Sequence, residues 1–164
     1  MRASDDLAAL ALLLGRLERL NEAVVTGVCA AERVSPAEFR VLAMLRHGTA
    51  GEAVRPTDIS RWVVQTSGGL TATLRRLEMA GRVERVPDPD DGRVRRVALT
   101  DDGAAFYDRL LGILTSRYDD ALAGLDIEAT TTAVRSLIDA LERTTGRASS
   151  SEADLSVLMS AGGS

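Results

Sequence analysis

Apolar residues recur at three- and four-residue steps along the first part of the chain. They include Leu7, Leu10, Leu14, Leu17, Leu20 and Val24. This spacing predicts one long helix from about residue 5 to residue 31. Ser35, Pro36 and Glu38 then supply a helix cap, a proline at the first helical position and an acid in the first turn. A second helix should therefore start there and end near Gly48.

The next segment has the pattern of two short helices joined by a tight turn. Pro56 and Asp58 open the first helix, and Thr66 or Ser67 caps the second, which stops at Gly81. The spacing of the apolar residues places one side of each helix in a core: Ile59, Trp62 and Val63 on the first, and Leu70, Leu74 and Leu77 on the second. Two helices in this arrangement form a helix-turn-helix.

A β-hairpin and two further helices complete the predicted elements. Residues 82–86 and 94–99 alternate polar and apolar side chains around the turn sequence PDPDDG. Thr100 then caps a long helix that reaches Leu122, and a last helix begins at about Ile127. After Thr144 the chain is rich in Ser and Gly, which indicates a flexible tail. The predicted fold is mainly α with a small β-hairpin.

Length and composition indicate one domain over residues 1–143 and a tail over residues 144–164. The 164 residues are 45% hydrophobic but only 3% aromatic, which is typical of helices packed through Leu, Ala and Val. The single cysteine fits a reducing compartment. No apolar run approaches the roughly 20 residues that a membrane helix needs. We therefore expect a cytoplasmic protein without a membrane partner.

Charge is unevenly distributed along the chain. The net charge is -4, but residues 55–99 carry nine Arg against six acids, whereas residues 100–164 carry five Arg against eleven acids. The basic middle coincides with the predicted helix-turn-helix and hairpin. Every basic residue is Arg, whose planar guanidinium suits phosphates and guanine edges. This local excess favours a nucleic-acid partner despite the acidic total.

The second helix of the helix-turn-helix has an outward face suited to DNA. With its leucines inward, a helical wheel places Thr71 and Thr73 on the flanks and the following residues outward: Gly68, Gly69, Ala72, Arg75, Arg76 and Met79. The two arginines can reach phosphates or bases. In an arbitrary domain a solvated helix face would be the simpler interpretation, but the attached hairpin favours DNA contact. The two glycines lower helix stability, which close approach of the backbone to DNA would explain.

Two stretches resemble the MarR (multiple antibiotic resistance regulator) family of winged helix-turn-helix transcription regulators. They are SPAEFRVL, from Ser35 to Leu42, and the segment from Thr66 to Gly103, and the resemblance extends over about residues 5–143. It implies a winged helix-turn-helix lobe at about 35–99 on a helical dimerisation base formed by about 5–31 and 100–143. It also implies a homodimer, with the hairpin as a wing over the minor groove.

The resemblance assigns DNA-binding roles to individual residues. Thr71, Arg75 and Arg76 occupy recognition-helix positions, and Ser67 would hold a phosphate with the free amides of the first turn. Asp91 and Arg93 match the wing residues of the family, with Arg93 as the minor-groove probe. Gly69 would allow close backbone approach. Arg95 and Arg96 alternate on a strand, so we expect Arg95 to face DNA while Arg96 braces the lobe.

The remaining polar residues give little indication of redox, metal-binding or nucleotide-binding chemistry. Cys29 could sense oxidants, but its place near the end of the first helix favours structural packing. His47 suits a helix C-terminus, and a single histidine does not make a metal site. Asp88 and its neighbours resemble a calcium loop only superficially, which favours a turn. No nucleotide-binding motif surrounds Ser67. We predict no cofactor and no metal.

The sequence therefore predicts a DNA-binding transcription regulator. We expect a repressor that binds double-stranded DNA at a pseudopalindromic operator as a homodimer. The family resemblance implies release by a small aromatic or lipophilic effector. A winged-helix module that binds acidic proteins instead of DNA is the alternative interpretation. An enzyme is disfavoured, because one histidine and one cysteine, distant in sequence, offer few pairings of nucleophile and base.

Overall fold

Six helices and one β-hairpin form the described part of the chain, residues 2–47, 52–63 and 67–145 of the computed structural model. In chain order the elements are α1 (Arg2–Ala31), α2 (Pro36–His47), α3 (Pro56–Trp62), α4 (Ser67–Met79), β1 (Val83–Pro87), β2 (Arg95–Leu99), α5 (Asp101–Ala121) and α6 (Ile127–Thr145). This architecture confirms the predicted fold class. The expected loop after α2 and the turn between α3 and α4 lie partly outside the described residues.

The predicted bounds hold to within a few residues. The first helix begins at Arg2 rather than near residue 5, and each strand starts one residue later than predicted. The last helix continues through Thr145 and so includes the first two residues of the predicted tail. The rest of that tail, residues 146–164, lies outside the described residues.

Helix α2 occupies the centre of the fold. Its residues Val41, Leu42 and Leu45 are fully buried, and the helix contacts α1, α3, α4, α5 and β2. Truncating one such leucine to alanine typically costs about 2–5 kcal/mol. The predicted capping box begins the helix, because the Ser35 amide donates to Glu38 Oε2 at 2.7 Å and the Glu38 amide donates to Ser35 Oγ at 3.2 Å.

The hairpin, called the wing (residues 83–99) from here on, is tied to the segment before α3. Its strands pair antiparallel with Val83 opposite Leu99 and Pro87 opposite Arg95. Val54 adds an isolated bridge to Val97, with N–H to carbonyl distances of 2.9 and 2.8 Å in the two directions. The hydrophobic pattern did not predict this bridge. It places the start of the helix-turn-helix beside the middle of the wing strands.

The passage from α4 into the wing uses a glycine where the backbone requires one. Gly81 has a φ of 68°, and the Arg82 amide donates to the Leu77 carbonyl at 2.9 Å, which closes the end of α4 as predicted. After the wing, Thr100 caps α5 by accepting the Gly103 amide at 3.0 Å. The first turn of α5 is thereby fixed against the end of α4.

Two helices leave large apolar side chains exposed on this single chain. On α1 they are Leu7, Leu12, Leu13, Leu17 and Leu20, and on α6 they are Ile127, Val134, Ile138 and Leu141. Helix α6 makes only sparse contacts with the other described elements of its own chain. None of the described helices combines the length and the apolar character needed to cross a membrane.

Candidate nucleic-acid interface

Helix α4 presents the outward face that the sequence predicts. Leu70, Leu74 and Leu77 are buried, whereas the exposed residues are Gly68, Gly69, Thr71, Ala72, Arg75, Arg76 and Met79. The flank position predicted for Thr73 is wrong, because its side chain is buried and its hydroxyl donates to the Gly69 carbonyl at 3.0 Å. This bond satisfies the hydroxyl within its own helix, so a polar residue is tolerated on the packed side.

The two arginines of α4 differ in their surroundings. Arg76 is half exposed as predicted, but its Nε donates to Glu38 Oε1 at 3.0 Å, an ion pair that the helical pattern did not predict. Burial raises the pKa of Glu38, but the bonds from Ser35 and the contact with Arg76 outweigh it, and the net pKa is lowered. Arg75 is exposed, and it makes no ion pair within the described part of the chain.

At the tip of the wing, aspartates shape the turn and arginines remain outside. The Arg93 amide donates to Asp91 Oδ1 at 3.0 Å, and the Val94 amide donates to the Asp91 carbonyl at 2.9 Å. Asp91 therefore holds the turn that presents Arg93. The side chains of Arg93 and Arg95 are exposed, whereas that of Arg96 is only 24% exposed.

A fully buried carboxylate lies where β1 ends and the loop at the wing tip begins. Oδ2 of Asp88 accepts the Nε–H of Arg55 and of Arg96, each at 2.8 Å, and Oδ1 accepts the Asp90 amide at 3.0 Å. The two guanidinium groups lower the pKa of Asp88, which therefore stays ionised. The two guanidinium groups on Oδ2 and the Asp90 amide on Oδ1 engage both oxygens that a calcium ion would need, which supports the turn interpretation. Neither Asp88 nor Arg55 was a sequence-predicted site residue.

The remaining predictions concern Ser67, Trp62, Cys29 and His47. Ser67 is the first residue of α4, and its side chain lies outside the described residues, as does that of Trp62. Cys29 is 1% exposed, and burial raises the pKa of its thiol, which supports the packing interpretation. His47 is the last residue of α2 and meets the ring of Tyr107 edge-on at 5.2 Å. Burial lowers the pKa of His47.

A helix-turn-helix followed by a hairpin with exposed arginines defines a winged helix-turn-helix DNA-binding protein. A family model described as "MarR family" matches residues 34–94. The transcriptional regulator PecS of Dickeya dadantii is 30% identical over 135 residues, which cover 80% of this chain and 81% of PecS. The chain belongs to the MarR family, whose members are transcription regulators and not enzymes.

Two further comparisons agree with this assignment. The multiple antibiotic resistance protein MarR of Salmonella typhimurium is 30% identical over 113 residues, which cover 66% of this chain and 76% of MarR. A crystal structure of a mutant MarR from Escherichia coli complexed with operator DNA has a TM-score of 0.66 to this chain at 24% identity, covering 83% of this chain and 96% of that one. The second comparison establishes the fold.

Proposed function

We propose that this chain is a repressor that binds a pseudopalindromic operator in double-stranded DNA as a homodimer. The observation that carries the proposal is the set of exposed arginines on one lobe: Arg75 on α4, and Arg93 and Arg95 on the wing. Guanidinium groups on a helix sized for the major groove and on an adjacent hairpin suit a duplex. We place this regulator in the cytoplasm, the compartment that holds the chromosomal DNA in the bacteria from which its relatives come.

The proposed contacts follow the two elements of the lobe. Thr71, Arg75 and Arg76 face the major groove from α4, while Gly69 lets the backbone approach and Ser67 holds a phosphate at the first turn. On the wing, Arg93 enters the minor groove, Asp91 fixes its turn, and Arg95 reaches the backbone. The lobe over about residues 35–99 would thus act as the reading unit.

The exposed apolar faces of α1 and α6 support the homodimer. A 19-residue helix with little support from its own chain is marginal in water, and its stability depends on covering its apolar face. Ile138 and Val134 lie on that face and are more than a third exposed. A second copy supplies the same faces and closes the assembly with twofold symmetry. Residues 5–31 and 100–143 would then form the dimerisation base and present two lobes to successive grooves.

An effector site is the least defined part of the proposal. An open cavity of about 560 Å³ follows one side of α5 and is lined by Arg109, Gly112, Ile113, Ser116, Arg117 and Asp120. Helix α5 links the wing to the dimerisation base, so a ligand there could favour one lobe spacing. A small aromatic or lipophilic molecule would release DNA only through different affinities for the two spacings.

The test starts from DNA that the chain itself selects. The full chain would be incubated with a random-sequence duplex library, and the recovered fragment used for titrations at several salt concentrations. We expect Arg93→Ala to weaken binding roughly tenfold and to reduce the salt slope by about 1. Arg143→Ala, which removes an exposed arginine from α6, is the matched control and should change the affinity by less than about twofold.

Two outcomes would contradict the proposal. Failure of the dimeric chain to enrich any sequence would favour the protein-interaction alternative. If a DNA sequence is enriched but Arg93→Ala leaves its affinity unchanged at moderate salt, the proposed contact between the wing and DNA is wrong. Sedimentation of the free chain gives the oligomeric state, and a monomer at micromolar concentration would exclude the twofold arrangement.

A further inference from the structure

The wing needs support beyond its own strand pairing. An isolated two-stranded hairpin is at best marginally stable in water. The bridge between Val54 and Val97 adds only two hydrogen bonds, and Val97 lies opposite Arg85 in the middle of the strand pair, short of the tip that carries Arg93. A wing that rocks on its base would place Arg93 at a range of positions relative to α4. A contact nearer the tip is therefore needed to define one position.

Asp88 makes that contact, because it joins three segments of the lobe. The residue directly follows β1, and its amide donates to the Val94 carbonyl at 3.1 Å, closing the loop at the wing tip. Its carboxylate binds Arg96 on β2 and Arg55, which is the N-cap residue of α3. Side-chain contacts of Asp88 thus run from the wing tip to the start of the helix-turn-helix.

Because the Asp88 carboxylate is buried, its contacts with Arg55 and Arg96 depend on its negative charge. The Asp88 side chain is 0% exposed, whereas Asp90, which is 3.7 Å from Arg96, is 80% exposed. An amide in place of the Asp88 carboxylate would leave the two guanidinium groups with only the solvated Asp90 carboxylate, near Arg96, as a counter-charge. The same change at Asp90 would remove a solvated charge of small energetic weight. The two aspartates therefore form a matched pair, equal in formal charge and different in structural role.

We propose that Asp88 is a positioning residue, which locks the wing to the start of α3 through Arg55 and Arg96 and thereby fixes Arg93 for the minor groove. The inference rests on the proposed function, since it concerns the same DNA-binding lobe. Asp88 itself does not contact DNA. Asp88 acts by fixing the position of the wing relative to α4, so that both elements can contact the duplex at the same time.

The experiment measures how strongly the effect of Arg93→Ala depends on Asp88. Dissociation constants for the self-selected DNA fragment would be measured with and without Arg93→Ala in the wild type, Asp88→Asn and Asp90→Asn. We expect a loss of about tenfold in the wild type and in Asp90→Asn, but less than about threefold in Asp88→Asn. Both Asn variants gain general affinity from the lost negative charge, so only the coupling distinguishes them.

A second variant keeps the test decisive if Asp88→Asn does not fold. Arg55→Gln leaves the pair between Asp88 and Arg96 intact and breaks only the link to α3. In this background we again expect Arg93→Ala to cost less than about threefold. An undiminished tenfold loss in Arg55→Gln, or in folded Asp88→Asn, would overturn the inference while leaving DNA binding established. If the wild type selected no DNA, the proposed function would fail first.

Discussion

Replacing Gly103 with alanine tests how closely α5 approaches the end of α4. A Cβ on this residue would lie 1.9 Å from the Arg82 carbonyl oxygen and 3.0 Å from Leu99 Cδ1. The obstacle is backbone, so no side-chain rotation can relieve the clash. That same carbonyl accepts the Thr100 amide at 3.2 Å, and Thr100 caps α5. Helix α5 can move away from the Arg82 carbonyl only if the hydrogen bond from the Thr100 amide or the Thr100 cap is weakened.

The expected loss of stability follows from these contacts. Overpacking against a rigid group costs about 1–3 kcal/mol, and a weakened cap costs about 1 kcal/mol more. Alanine recovers up to about 1 kcal/mol through its higher helix propensity. We therefore expect a net loss of about 1–3 kcal/mol, which lowers the melting temperature by roughly 2–12 °C in a chain of this size.

Gly112 provides the control, because it lies in the same helix and has no atom within 4 Å of an added Cβ. Gly112→Ala should leave stability unchanged or raise it by up to about 1 kcal/mol. Urea unfolding followed by circular dichroism would compare both variants at one protein concentration, since stability of a dimer depends on concentration. A Gly103→Ala chain as stable as the wild type would refute the close approach.

Three further predictions address separate parts of the chain. Because the pKa of Glu38 is lowered by folding, its ion pair stabilises the protein fully at neutral pH and is lost as the pH falls from about 4.3 through the lowered value. Glu38→Gln should cost about 1–2 kcal/mol at pH 7 and flatten this acid dependence in urea unfolding; an unchanged acid limb would contradict the assignment. The buried Cys29 should react with a thiol reagent at least about 100-fold more slowly in the native chain than in urea, and equal rates would rule out a packed thiol. Ile138→Glu should yield monomers in sedimentation while Thr132→Glu, at an exposed polar position of α6, stays dimeric; a dimer in both would exclude α6 from the interface.

Local signals account for the elements that the sequence predicted well. The capping box before α2, the glycine after α4 and the threonine before α5 each act within a few residues, and each forms the expected hydrogen bonds. Apolar spacing fixed the buried side of α4 for the same reason, since helix periodicity is a local property. The position of Thr73 was predicted wrongly, because a hydrogen bond within its own helix satisfies its hydroxyl and allows the side chain to be buried.

The contacts that hold the lobe together are distant in sequence. Arg55 and Asp88 are 33 residues apart, and Arg76 and Glu38 are 38 residues apart. No periodicity relates such positions, so Asp88 could be predicted as a turn residue but not as a counter-ion. The same holds for Gly103, whose local sequence indicates only the first turn of a helix. Its close approach depends on how α5 meets the end of α4 in three dimensions.

The ion pairs of residues 55–99 determine how much of the arginine excess in this segment is available to DNA. Ion pairs to acidic side chains engage Arg55, Arg76, Arg85 and Arg96. Within residues 55–99, the described arginines that are exposed and make no ion pair are at positions 75, 93 and 95, on α4 and the wing. The net charge counted along the sequence therefore does not give the number of arginines that can contact DNA. Acidic partners neutralise the structural arginines, and the arginines of this segment that keep no acidic partner lie where the two reading elements face outward.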